Sequence, residues 1–263
     1  MTQTTITKKQ QEILTLLPRF RFLNRLQIQS LLHHKDENRI NIWLKDLVEN
    51  HYIKRLYDNG IVGKNRIPAV FYLDTLGIRF VKGLGWYEKD TINKLYRDKN
   101  RTENFRNHCL TLATICTQLE QKADDILKYT YTTETDRKKS DNPYHFLTSS
   151  DITIDLCFSK QQKGRKMRYY ILTLFDATLP KYRVRKRIRQ LREFYFSNDW
   201  EDNMNASFPT LLLVCETKER MIYAKRFAKQ IFAEDKPDDL SVNFATVGDI
   251  KQHGITGELW EEI

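Results

Sequence analysis

The chain has 263 residues, 44 Lys and Arg against 34 Asp and Glu, a formal net charge of +10, and 40% hydrophobic residues. That length suits one large domain or two ordinary ones; no apolar run approaches the roughly 18 residues a membrane helix needs, so no membrane partner is expected. Cys109, Cys116, Cys157 and Cys215 form no C-x-x-C pair and have no partner histidine at ligand spacing, which argues against a zinc ribbon or dithiol redox motif and suggests reduced thiols. The opening MTQTTITKKQQE lacks the apolar stretch of a signal peptide, and a cytoplasmic location is the expectation.

The excess charge is uneven: residues 1–95 carry 16 basic and 9 acidic side chains, against 28 and 25 in the remainder. A basic excess in a small domain suggests a polyanionic partner, because cations gain affinity by releasing counterions from phosphate. Residues 5–17 read as a first helix with Thr5 as cap, an apolar stripe of Ile6, Ile13, Leu14, Leu16 and Leu17, and Pro18 as terminator. A second helix fits 24–32. A third runs from about Asp36 to Asn50: Ile40, Trp43, Leu44, Leu47 and Val48 recur at three and four, leaving Lys35, Asn38, Arg39, Asn41, Ile42 and Lys45 outward.

Past Asn50 the period changes to two. Residues 52–57 and 69–73 bracket a polar segment with Asp58-Asn59-Gly60, Lys64 and Arg66, the pattern of a β-hairpin. Three helices followed by a hairpin with a basic tip spell a winged helix-turn-helix over residues 1–86, in which the third helix enters the major groove and the wing touches flanking backbone. The expected groove contacts are Asn38, Arg39, Asn41 and Lys45, beside Lys35. Lys54, Arg55, Lys64 and Arg66 are assigned to phosphates. His33-His34 sits in a turn and is read as filling or capping rather than as a metal site.

Residues 74–81 give a further short helix, and a charged segment, 87–103, reads as a linking helix with little apolar face. Residues 104–263 then alternate strands and helices, the signature of a separate α/β domain. A helix over about 104–121 leads to a strand near 126–133, a polar loop at 135–142 and a strand from Asp151 to Phe158. A hairpin loop at 161–166 precedes a buried strand over 168–175. Helices at 181–196 and 219–232 and strands at 210–215 and 242–246 complete the pattern.

Several stretches together resemble the replication-relaxation family of bacterial plasmids and mobile elements. They are Leu44-Lys45-Asp46-Leu47-Val48 through Ile53 and Arg55, Val70-Phe71-Tyr72-Leu73, Gly77, His108, Asp151, Asp176-Ala177-Thr178, and Gly248-Asp249-Ile250-Lys251-Gln252-His253-Gly254 to Trp260. The resemblance implies a winged helix joined to a PD-(D/E)xK nuclease-like α/β domain, a mixed sheet flanked by helices.

That class places one acidic residue on a strand, a second on the next, and usually a lysine two positions later, so that Mg²⁺ and a water meet at the phosphate. Asp151 matches the first position. The following triplet is Leu174-Phe175-Asp176, with leucine where the family commonly has glutamate. Losing a carboxylate from a two-carboxylate site leaves binding too weak for efficient hydrolysis, so the domain is read as degenerate and no catalytic residue, metal or cofactor is favoured. Asp155, four residues past Asp151 on the same strand face, is the substitute ligand if the domain is active; the set would then be Asp151, Asp155 and Asp176 with Mg²⁺. Asp176 and Thr178 are alternatively a capping pair for the next helix.

Residues 181–192 hold seven basic side chains in twelve. Val184, Ile188, Leu191 and Tyr195 would pack inward, leaving Arg185, Lys186, Arg189 and Arg192 for DNA backbone or for pairing with Asp199, Glu201 and Asp202. The functional expectation is a dimeric, double-stranded DNA-binding protein controlling transcription or replication of a mobile element. The alternatives are a Mg²⁺-dependent nicking endonuclease and a module that dimerises or recruits a replication or conjugation protein.

Overall fold

Thr7 and Gln10 start the first helix: the Thr7 hydroxyl accepts the Gln10 N–H while the Gln10 side chain accepts that of Thr7, satisfying two of the N–H groups a helix start leaves open. Helix α1 therefore spans Lys8–Phe20, not 5–17. Pro18 lies inside it, because a proline near the end forfeits a single backbone bond, and the turn comes at Arg21, with φ 68°. The computed structural model describes residues 6–56, 68–233 and 240–263 of a mixed α+β chain. It divides into two units, Met1–Thr117 and Gln118–Ile263.

In the first unit a short strand, β1 (Leu23–Asn24), feeds α2 (Arg25–Leu31), started by a second reciprocal cap between Asn24 and Gln27. Helix α3 (Glu37–Glu49) is capped by Asp36 and buries Ile40, Leu44 and Leu47; Trp43 and Val48, expected inside, are half-buried. Strands β2 (Ile53–Leu56) and β3 (Val70–Leu73) pair antiparallel with Arg55 opposite Phe71, and β1 joins the other side of β3, giving the order β1-β3-β2. The expected hairpin tip with Lys64 and Arg66, and Tyr57 at the end of the strand before it, lie outside the described residues.

Helix α4 (Thr75–Gly83) begins at an Asp74 cap, and its Leu76 N–H donates to the His51 carbonyl in the turn after α3 at 3.3 Å. Its Gly77 has no room for a side chain: a Cβ there would stand 2.1 Å from the Tyr52 carbonyl oxygen. The segment read as a linker is not a single apolar-poor helix. Helix α5 (Lys89–Tyr96) buries Thr91, Ile92 and Leu95, and a 3-10 turn over Asp98–Asn100 buries the Asp98 carboxylate. Arg21 grips that carboxylate with two nitrogens and donates a third bond to the Lys94 carbonyl at 2.9 Å. Arg21 and Arg101 both lie over the Phe105 ring, at 5.3 and 4.6 Å.

Phe105 belongs to α6 (Glu103–Gln121), and the division between units falls inside this helix rather than ahead of it. Its first half packs Phe105 and Cys109 with Phe22 and Tyr72, and Gln27 donates to the Leu110 carbonyl and the Thr114 hydroxyl at 2.8 and 3.0 Å. A composition shift near residue 100 marks where charge density changes; these contacts decide where the unit ends.

The second unit holds a six-stranded sheet among the described residues. Strand β4 (Leu127–Thr133) runs into α7 (Glu134–Arg137), a turn the sequence reads as polar loop but whose Thr135, Asp136 and Arg137 are buried. Strands β5 (Leu156–Gln162) and β6 (Arg168–Phe175) follow. Then come α8 (Lys181–Phe196), α9 (Asp199–Met204), β7 (Thr210–Cys215), α10 (Lys218–Phe232), β8 (Val242–Thr246), α11 (Val247–His253) and a two-residue β9 (Glu261–Glu262). Neighbours β4-β5, β5-β6 and β8-β9 are antiparallel, and β6-β7-β8 are parallel.

Parallel neighbours need a crossover, and α8 and α10 supply it. Both lay an apolar stripe on one sheet face, where Val184, Ile188, Leu191, Met221, Ala224 and Ala228 meet Ile171, Phe175, Leu211, Leu213 and Phe244. Trp200 of α9 is fully buried among Tyr144, Phe146 and Tyr169 and donates its indole N–H to the Ser207 carbonyl at 3.0 Å. Among the described residues no helix is long and apolar enough to cross a membrane.

Candidate nucleic-acid interface

Because α3 buries Ile40, Leu44 and Leu47, the period of the helix turns the intervening positions outward. Asn38, Arg39, Asn41 and Lys45 are all exposed, as is Lys35 just ahead of the helix, and Ile42 among them is 58% exposed. Among the described residues, no protein group hydrogen-bonds or ion-pairs with the side chains of Asn38, Arg39 or Asn41. Lys45 lies 3.7 Å from Glu49, one turn on. At the helix start, His34 turns its ring edge to Trp43 at 4.9 Å, a packing and turn role.

Lys54 and Arg55 occupy consecutive, exposed positions of β2, so their side chains leave opposite faces of the strand. Lys54 approaches Asp74, the cap of α4, at 3.9 Å. Lys64 and Arg66 are not described.

The three carboxylates considered for metal chemistry are not assembled. Asp151 is exposed, and residues 151–155 are not part of a strand: β5 begins at Leu156, so the shared strand face expected for Asp151 and Asp155 does not exist. The segment runs beside β6 but satisfies it through mixed bonds. The Asp155 N–H donates to the Leu172 carbonyl at 3.0 Å, the Thr173 hydroxyl donates to the Thr153 carbonyl at 3.1 Å, and the Asp155 carboxylate accepts the Leu174 N–H at 2.6 Å. Leu174 itself is 3% exposed, its side chain spent on packing. Among the described residues no group of three or more His, Cys, Asp or Glu is placed to hold a metal ion.

Neither Asp176 nor Thr178 caps α8: its N-cap is Pro180, and no side chain bonds there. The loop ahead of the helix is tied instead by its neighbours. Glu216 accepts the Ala177 N–H at 2.6 Å, Arg220 donates to the Ala177 carbonyl at 2.5 Å, and Arg187 donates to the Leu174 carbonyl at 3.0 Å. Sequence reasoning missed Glu216 and Arg220, whose 39- and 43-residue separation from Ala177 leaves no local pattern.

On α8, Arg185, Lys186 and Arg189 are exposed, and Val184, Ile188 and Leu191 are buried as their spacing requires. The alternative role, ion pairing with Asp199, Glu201 and Asp202, is not taken by Arg185, Lys186 or Arg189 among the described residues. Arg189 instead covers the Phe227 ring of α10 at 5.2 Å, and Lys181 covers Tyr223 at 5.2 Å. The four cysteines are buried and form no disulfide among the described residues; burial pushes the Cys215 thiol up to about 12, and Cys157 upward too.

No protein-family model matches the chain, and no functionally curated protein does. Among solved structures, the one described as "Crystal structure of RV1404 from Mycobacterium tuberculosis" is similar over 47% of this chain and 79% of that chain, at 18% identity and a TM-score of 0.28.

Proposed function

We propose that the chain is a double-stranded DNA-binding regulator of transcription or replication on a plasmid or other mobile element, and that its first unit is a winged helix-turn-helix. The observation carrying this reading is the outward face of α3, where amide, guanidinium and ammonium donors stand exposed around one apolar residue. Asn suits the paired donor and acceptor edge of adenine, Arg the two acceptors of guanine, and Ile42 the methyl group of thymine. The order of helix, short strand, two helices and a hairpin, with β1 completing a three-stranded sheet, supports the same assignment. Lys35, Lys54 and Arg55 are assigned to the flanking phosphates.

In this reading the second unit is a degenerate PD-(D/E)xK-like domain. Its succession of the end of α6, three antiparallel strands, α8 and a parallel β7 supports the resemblance. Its chemistry does not favour hydrolysis, because Asp155 serves as a backbone acceptor and Leu174 packs inward.

A mobility-shift experiment on the DNA upstream of the reading frame tests the assignment. The doubly substituted Arg39→Ala, Lys45→Ala protein is expected to lose the specific shift while retaining its melting temperature. Binding equal to wild type discards α3 as the reading element.

A further inference from the structure

We infer that α8 and α10 of the second unit form a separate, sequence-independent binding face for the phosphate backbone of duplex DNA, beyond the groove-reading role proposed for the first unit. The two helices hold twelve Lys and Arg against two acidic residues, Glu193 and Glu219. Their balance of +10 equals the formal charge of the whole chain, so everything outside them sums to zero. The sequence reading placed most of the excess in the first third; the two parallel crossovers bring these separate segments side by side.

Packing decides which of those cations face out. The apolar stripes of both helices are spent on the sheet, and four basic groups are held in structural bonds. Arg187 and Arg220 serve the β6 loop, and Lys218 and Lys225 share Glu261 at 2.7 and 3.1 Å. Arg185, Lys186, Arg189, Arg226 and Lys229 remain exposed, and no described carboxylate lies within ion-pair distance of them. Aromatic rings of α10 lie beneath the Lys181 and Arg189 cations of α8, at 5.2 Å each, which steadies long side chains before any ligand arrives. Arg189, Arg192 and Glu193 of α8 and Phe227, Gln230 and Ile231 of α10 line a groove of about 290 Å³ between the helices.

The stretch from Lys181 to Arg192 extends for about 16 Å at a helical rise of 1.5 Å per residue, while duplex DNA presents a charge about every 1.7 Å of axis. Five of the seven basic residues on α8 are arginine, the side chain whose planar fork matches phosphate oxygens. An anionic membrane surface fits less well: interfacial helices bury an apolar face in the lipid, and here those faces cover the sheet.

The test uses the full chain and a labelled duplex of random sequence, with affinity measured between 50 and 200 mM salt. In the triple variant Arg185→Gln, Lys186→Gln, Arg189→Gln, affinity at low salt should fall about tenfold or more and the log–log salt slope should become shallower by about 2 to 3. A control of equal charge, Lys163→Gln, Arg165→Gln, Lys166→Gln in the loop between β5 and β6, should behave as wild type. If the α8 triple fails to fold, Arg226→Gln with Lys229→Gln asks the same question from α10, with a slope change of about 2. An unchanged slope, or a loss matched by the control, overturns the inference. So does unchanged DNA affinity with lost binding to vesicles containing phosphatidylserine, which would assign the face to membrane. Because the probe carries no specific site, the outcome is independent of whether α3 reads sequence.

Discussion

Helices α3 and α8 each bury one side and expose the other, yet their outward faces differ in kind. The thirteen residues of α3 carry two basic and three acidic side chains with two asparagines, so the helix has almost no net charge. The sixteen residues of α8 carry seven basic side chains and one acidic. A nearly neutral face of mixed donors cannot gain much from counterion release and must discriminate through hydrogen-bond pattern. A charge-dense face does the reverse, holding any phosphate backbone and reading nothing. Net charge and recognition capacity are therefore separable, and under the proposed function this chain would carry them on different helices.

The comparison breaks most easily at the frame that presents α3. Arg21→Ala leaves the Asp98 carboxylate, 3% exposed, without its grip, and breaking such a pair costs about 3–5 kcal/mol, to be read by urea unfolding near neutral pH. Burial already pushes the Asp98 carboxyl above its ordinary 3.8, against the pull of Arg21. The folded state thus holds that proton more tightly than the unfolded one, and the contribution of Asp98 to stability falls as pH rises through the window above 3.8. The deficit of Arg21→Ala should accordingly shrink as the pH is lowered toward that range.

Gly77→Ala sets a methyl group against the Tyr52 carbonyl and should cost about 1–3 kcal/mol by overpacking, seen as a lower melting temperature and a weaker specific mobility shift. At α3, Asn38→Ala or Arg39→Ala should cost about 1–3 kcal/mol of discrimination between cognate and mismatched duplexes. Their salt slope should move by no more than one contact. An Arg39→Ala protein weakened equally on every sequence would erase the difference drawn between the helices.

Supercoiled plasmid incubated with Mg²⁺ or Mn²⁺ should stay intact. Asp155→Asn should instead weaken the fold by about 1–2 kcal/mol, since it loses a charged acceptor for the Leu174 N–H; nicking abolished by that substitution would restore a hydrolytic site. The smallest effect belongs to Glu261. The hydrogen bonds from Lys218 and Lys225 hold its carboxyl below the usual 4.5, so their contribution is present at neutral pH and is lost as pH falls through that lowered value. Glu261→Gln should cost about 0.5 kcal/mol, the scale of an exposed pair. DNA affinity should rise slightly as two lysines are released.

Where a segment's neighbours are its own near residues, the sequence was legible. The bounds of α8, β7 and β8 follow from their spacing alone, and so does the outward set on α3. The start of α1 depended on the Thr7–Gln10 pair, a local signal available but displaced by the more obvious Thr5. The Asp151–Phe158 strand failed for another reason. Alternation of polar and apolar residues fits a strand, but whether Asp155 bonds as ladder or as side-chain acceptor depends on Leu174, nineteen residues away.

Local periodicity, caps and breakers by themselves determined most of the helices, most of the strands and the faces they would bury, because those choices rest on the 3.6- and 2-residue repeats of the backbone. Only tertiary structure decided that Asp98 lies under Arg21, that the Asp176–Pro180 loop is held by Glu216 and Arg220, and that two cationic helices adjoin on one sheet face. Those facts depend on which distant segments the sheet order brings together, and strand order is set by the summed burial of many side chains rather than by any short run of sequence.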